Sequence, residues 1–246
     1  MHNTIELKAC SNNQNPVMPV AIIFTTILLL CSNSVLWAQT TNRDTTFLLK
    51  NTKGTQHYIF IEPNKASPFY DEVADFSIEG LGEQSYQNSL AALHERHLEL
   101  GRIDIADFPT QWIITHQYKG QCYLYRPSDF YTHFQMGLTD SSFVDYTGEG
   151  PIANKILRFT KKDKSTYLFV LTGMYDSVRT ITVHIIDRKK GIAVFEENTN
   201  GEGTHFFLMV DARKRRQLPL IVNYCKTQKQ PEFRFDEPGF VELLQK

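Results

Sequence analysis

The mature part of this chain predicts a mainly β protein: an antiparallel barrel or sandwich of about ten short strands, with one amphipathic helix near its start. Three observations lead there. Beyond Gln111 the apolar residues recur with period two rather than the helical 3.6. Polar clusters such as "KKDKS" and "DRKKG" separate short apolar runs at close spacing. No helix-period segment falls between the later strands, which argues against βαβ units and their parallel sheet.

The first element is an uncharged apolar run, "VAIIFTTILLL" at 20–30. It has the length of a signal-peptide core and falls short of the roughly 20 residues that a spanning helix needs. Ser32, Asn33 and Ser34 interrupt the apolarity, and Ala38 precedes Gln39 as a small residue at a cut site. Residues 1–38 therefore read as a signal peptide. Leu36 is larger than the usual small residue two places before the cut. Lys8 is cancelled by Glu6, so a true start at Met18 would leave the α-amino group as the positive charge. Two alternatives stand beside cleavage: an anchor retained over 18–38, and a lipoprotein modified at Cys31, although Leu30 occupies the place of the usual Gly, Ala or Ser. All three predict an exported protein, periplasmic, cell-surface or secreted, with no membrane span in its mature part.

Residues 39–246 read as a single β-rich domain, long enough for a real core. Residues 39–46, "QTTNRDTT", read as a flexible tail. "FLLK" and "QHYIFIE" flank "NTKGT" as a first hairpin. Tyr86, Leu90, Leu93, His97 and Leu100 then form one helical stripe, and Gly101 follows as a C-terminal cap, so the helix is expected over 83–101. "QWIITHQY" and "QCYLYR" flank Lys119-Gly120 as a hairpin, which puts His116 opposite Tyr123 and Ile114 opposite Tyr125. A two-residue turn at Asn200-Gly201 would set Glu196 against His205 and Phe195 against Phe206.

The formal net charge of −1 offers no general attraction to nucleic acid, so no nucleic-acid partner is expected. The apolar fraction of 41% argues against disorder. Loss of the leader would remove Cys10 and Cys31 and leave Cys122 and Cys225, a number that permits one disulfide in an exported protein. That bridge is expected if the two strands lie side by side.

The candidates for chemistry are few. His94 and His97 in "HERH" share a helix side but lack the spacing of the helical zinc motif, so no metal is expected. Trp112, Tyr123 and Tyr125 fall on one face of their hairpin and could line a ligand-binding concavity, or simply build the core. "RKRR" at 213–216 reads as a solvated turn. Asp104, Asp107, Asp140, Asp145 and Glu149 match no calcium loop. No motif implies a cofactor or a catalytic residue. The expected function is a non-catalytic binding or interaction module of the cell envelope, with an envelope protein or glycan as partner. The alternatives are an envelope-polymer hydrolase using carboxylate or histidine acid–base residues, and a purely structural component.

Overall fold

The computed structural model describes residues 45–245 except 54–55, 106, 175–176, 200 and 202. The expected leader over 1–38 lies outside them. Of the expected tail, Thr46 already belongs to a strand.

The chain begins with β1 (Thr46–Asn51) and β2 (His57–Glu62), then the short α1 (Phe69–Glu72) and the longer α2 (Leu81–Glu95). Strands follow with no α-helix between them, only 3-10 turns at Phe130–Thr132 and Ala212–Gln217: β3 (Gln111–Ile114), β4 (His116–Tyr118), β5 (Gln121–Arg126), β6 (Gln135–Leu138), β7 (Ser142–Thr147), β8 (Gly150–Lys161) and β9 (Thr166–Thr172). The last four are β10 (Val178–Asp187), β11 (Ile192–Thr199), β12 (Gly203–Asp211) and β13 (Leu220–Cys225), before α3 (Phe240–Leu244).

Eight strands close an antiparallel barrel in the order β10-β11-β12-β3-β6-β7-β8-β9. Strands β6 to β12 are a simple meander, and β3 closes it by pairing with both ends. Eight strands leave an interior just wide enough for side chains to fill. Here it is filled. Period two points Phe143, Phe169, Ile181, Val183, Phe195 and Met209 inward, and all are fully buried. Phe108, just before β3, plugs one end against Trp112, Tyr167 and Phe169, with ring centroids 4.8–5.6 Å apart.

The other strands form a mixed sheet in the order β1-β2-β13-β5-β4. Its pairs are antiparallel except β13 beside β5, which is parallel. One face of this sheet, with Phe60, Leu124, Leu220 and Val222, packs on the outward residues of the barrel wall: Ile113, Val194, Leu208 and Val210. The opposite face carries Ile59, Tyr123, Tyr125 and Ile221 and is covered by Phe233 and Phe235 of the C-terminal segment.

Both expected hairpin turns form, with informative differences. Lys119 and Gly120 have φ of 51° and 74°, as a type I′ turn requires, and His116 lies opposite Tyr123. The strand before the turn is broken at Thr115, however. Ile114 therefore pairs with Met209 in the barrel, not with Tyr125. At the second turn Thr199 lies opposite Gly203, so the loop holds three residues rather than two. Phe195 consequently opposes Phe207, and Glu197 opposes His205. One residue of slip changes which side chains share a face.

The helix stops earlier than its stripe implies. His97 N–H donates to the His94 carbonyl at 2.9 Å and Leu98 N–H to the Leu93 carbonyl at 2.9 Å, the bond pair of a Schellman motif. His97 itself takes the left-handed position, with φ 57°. The buried side of α2 carries Ser89 and Leu93. Ser89 has a specific task. Strand β9 pairs with β8 only from Lys155 onward, and the Ala153 N–H, beyond that pairing, donates to Ser89 Oγ at 2.9 Å. Helix α2 thus completes the barrel wall where β9 falls short.

The expected disulfide does not form. Cys122 and Cys225 are both free. Their strands are indeed neighbours, but parallel, with Leu220 beside Leu124. Cys122 is therefore level with position 218, and Cys225 lies roughly 20 Å further along the strand direction. The two also face opposite sides of the sheet, since Cys122 packs toward the barrel while Cys225 shares the side of Ile221. Burial pushes the Cys122 thiol up, whereas backbone hydrogen bonds from Thr227 and Gln228 hold the solvent-facing Cys225 thiol down. Both thiols are half-buried, so maleimide should modify Cys225, with its lowered pKa, faster than Cys122 in the folded protein, with no change in melting temperature on adding a reductant. Peptide mapping of the labelled protein checks this.

Candidate functional site

The barrel interior is apolar except at one mouth. The inward positions of β7, β8, β10 and β11 that follow the aromatic core there are Asp145, Asn154, Arg179 and Glu197. Arg179 donates from one terminal nitrogen to Asp145 and from the other to Glu197 at 2.9 Å. Asn154 Nδ2 donates to Asp145 Oδ2 at 2.9 Å. These four line a cavity of about 370 Å³, together with Ile152, Gly173, Met174, Ser177 and Thr199. Gly173 is required by that geometry: a Cβ there would sit 2.4 Å from Asn154 Oδ1.

Two carboxylates share one guanidinium. Asp145 is 8% exposed, and among the described residues its Oδ1 has no hydrogen-bond partner. Leaving a buried acceptor unpaired costs about 1–3 kcal/mol. Burial, and secondarily the charge of Glu197, push the Asp145 carboxyl above its ordinary range against the pull of Arg179. Burial opposes the charge of Arg179 too, but the two carboxylates outweigh it and its pKa rises.

Sequence reasoning found Asp145 only as one of several turn acids and missed Arg179, Glu197 and Asn154. One signal was available: charged residues in the inward phase of strands whose other inward positions are apolar. Bringing those positions together needed the pairing of β7 through β11.

The three aromatic candidates do not share a surface. Trp112 is buried inside the barrel and donates from Nε1 to the Pro109 carbonyl at 2.7 Å. Tyr123 and Tyr125 lie in the other sheet, on the face turned away from the barrel. The break at Thr115 separates them. Tyr125 belongs to a strap instead. Its hydroxyl donates to Glu232 Oε2 at 2.5 Å and accepts from the Phe233 N–H at 2.9 Å. Asn223 Nδ2 donates to the same hydroxyl at 3.0 Å, and its Oδ1 lies 2.7 Å from His57 Nε2. Glu232 also accepts the backbone N–H groups of Ser128 and Asp129. With its partners satisfied, this network ties residues 226–236 onto the sheet.

His94 and His97 are both exposed, and the left-handed turn at His97 removes it from the helix. Among the described residues no three His, Cys, Asp or Glu side chains come together as a metal site would require. Of "RKRR", Arg215 and Arg216 both bridge to Asp71 of α1 at 2.7–2.8 Å, and Arg213 pairs with the buried Asp211. The run therefore anchors α1. Asp107 pairs with Lys161 at the surface. No described helix is long and apolar enough to cross a membrane.

The class that fold and site define is a side-chain-filled, eight-stranded antiparallel barrel with a flanking mixed sheet and a polar cavity at one mouth. No protein-family model matches this chain, and neither a curated protein nor a solved structure is similar to it.

Two pH effects follow. His116 is half-buried, stacked on Phe235 at 4.3 Å and edge-on to Tyr125; desolvation, then the charge of His133, pulls its pKa down from 6.5 to about 4. A depressed histidine contributes stability above its unfolded pKa and loses it as pH falls through the folded value. Urea unfolding should show stability dropping between pH 6.5 and 4, with roughly 2–3 kcal/mol of that loss absent in His116→Phe. Asp145 has the opposite sign. Its raised carboxyl favours folding at low pH and loses that contribution as pH rises. Asp145→Asn should therefore be more stable than the parent at pH 7, with the difference shrinking on acidification in the same urea series.

Proposed function

We propose that this protein is an exported, non-catalytic binding module of the cell envelope that takes a small polar ligand in the barrel mouth. One observation carries the reading: a buried, charged and incompletely paired cluster stands at the opening of a barrel that is otherwise closely filled with apolar side chains. A cluster serving only stability would be replaced to advantage by apolar residues, because burying ions costs more than their pairing returns in many proteins. A cavity of about 370 Å³ lies within the range of small-ligand pockets. The apolar run at 20–30 supports export.

The second reading is an envelope-polymer hydrolase. The raised carboxyl of Asp145 favours it, since general acids are tuned this way. Against it, both carboxylates are held on one guanidinium rather than set across a cleft from each other.

A fragment screen by protein NMR separates the two. Binders should perturb the Arg179 Nε–H and Asn154 side-chain resonances in the parent, and not in Thr199→Trp, which fills the mouth. Turnover of cell-wall glycan or peptide, lost in Asp145→Asn, would instead establish the hydrolase. Intact mass of protein from its native host should show a chain starting near Gln39.

A further inference from the structure

The end of the barrel opposite the mouth has a charge character of its own. Strand β10 runs from Arg179 at the mouth to Asp187 at that other end, roughly 26 Å along the strand. Two turns meet there, 162–165 between β8 and β9 and 188–191 between β10 and β11. From the unpaired cations that these turns present, we infer that this end of the protein docks on an anionic lipid surface. The inference is independent of the ligand reading given above.

Residues 161–164 and 187–190 hold six cations against two acids, in a chain whose formal net charge is −1. Lys162, Lys164, Arg188, Lys189 and Lys190 are all exposed, and among the described residues their side chains make no ion pair. The acids nearby are occupied within the fold. Asp163 Oδ1 accepts the Ser165 and Thr166 N–H groups at 2.7 and 2.9 Å, and Asp187 Oδ1 accepts the Lys190 N–H at 2.8 Å. Asp107 pairs with Lys161, and Asp211 with Arg213. The Ile185 N–H donates to the Ser165 carbonyl at 2.8 Å, so the two turns stand side by side. Lys214 lies across the second turn and donates from Nζ to the Arg188 carbonyl and, at 3.2 Å, to that of Lys189. Gly191, with φ 71°, makes room for it: a Cβ there would sit 2.8 Å from Lys214 Cδ. The backbone of this tip is thus fixed while its cationic side chains remain in solvent.

Two simpler roles leave the arrangement unexplained. Lysines guard the open edges of sheets against pairing, but a closed barrel has no edge to guard. Solubility is served by interspersed charges of both signs, not by unpaired cations gathered on two adjacent turns. Turn tips are convex, so their cations meet a flat anionic surface together, whereas a polyanionic chain is held in a groove that tracks its backbone. Each Lys or Arg brought to an anionic bilayer tightens binding roughly fivefold. Docking through this end leaves the mouth, at the far end of the strands, facing away from the lipid.

Co-sedimentation with lipid vesicles tests this on protein isolated from its native host. At about 0.1 M salt, where the Debye length is about 10 Å, it should bind vesicles of phosphatidylglycerol and phosphatidylcholine in equal parts far more tightly than phosphatidylcholine alone. Raising the salt to about 1 M should abolish that preference. Lys162→Gln, Lys164→Gln and Lys189→Gln together should weaken binding to the anionic vesicles roughly a hundredfold. The same three changed to Arg should bind like the parent. Lys50→Gln, Lys53→Gln and Lys226→Gln together remove as many exposed charges from the end of the mixed sheet where Asn51, His57 and Cys225 lie side by side. That variant should lose far less. The substituted side chains are exposed, so unchanged melting temperatures should show that each variant is folded. Equal binding to both vesicle types, no binding to either, or an equal loss in the two Gln variants would overturn the assignment. So would binding of polyphosphate or duplex DNA by a protein that ignores the vesicles, which would make a polymer the partner.

Discussion

A short strand closes the barrel, and the rest of the structure is arranged around that closure. A seven-stranded meander would leave two open edges, each a row of unpaired backbone donors and acceptors. Strand β3 supplies partners to both β12 and β6, although only three residue pairs join it to each. So few backbone bonds cannot be the only hold. Trp112 is the anchor: it is buried among the inward side chains, with its ring 5.1 Å from Phe195 and 5.6 Å from Phe108. Where a neighbouring strand is too short to complete the wall, the hydroxyl of Ser89 on α2 takes its place.

Closure also dictates what lies outside the barrel. On leaving β3 the chain turns away at Thr115, whose N–H and hydroxyl both donate to the Leu208 carbonyl. From there it enters the second sheet. That sheet covers the apolar outer face of β11, β12 and β3, which would otherwise be a large exposed patch. Its own far face is in turn covered by the C-terminal segment, held through Asn223, Tyr125 and Glu232. Each layer exists because the one beneath has a second apolar side.

Against this close packing, the mouth is the place where local stability is not optimised. Asp145 is buried with an unpaired oxygen and a carboxyl pushed above its ordinary range, while Glu232 of the C-terminal segment accepts several hydrogen bonds. The same chain thus contains one buried network that is satisfied and one that is not. The satisfied network fastens a segment in place. The unsatisfied one borders a cavity.

The class of fold was legible in the sequence because period-two patterning and the lack of intervening helices are local properties, and they leave an antiparallel sheet as the only economical arrangement. The faces of β13 were legible for the same reason: Leu220 and Val222 point one way and Ile221 and Asn223 the other. The decision between barrel and sandwich was not legible, because it depends on which distant strands pair. Nor was the break at Thr115, where an unbroken apolar alternation conceals a change of sheet. The cysteines show the limit most clearly. Neighbouring strands could be suspected, but parallel direction and register, which carry Cys122 and Cys225 to opposite ends and faces, arise only from the assembled sheet. The same holds for the mouth. Asp145, Asn154, Arg179 and Glu197 come from four strands spread along the chain, and only the curvature of the closed barrel lets Arg179 of β10 reach Asp145 of β7.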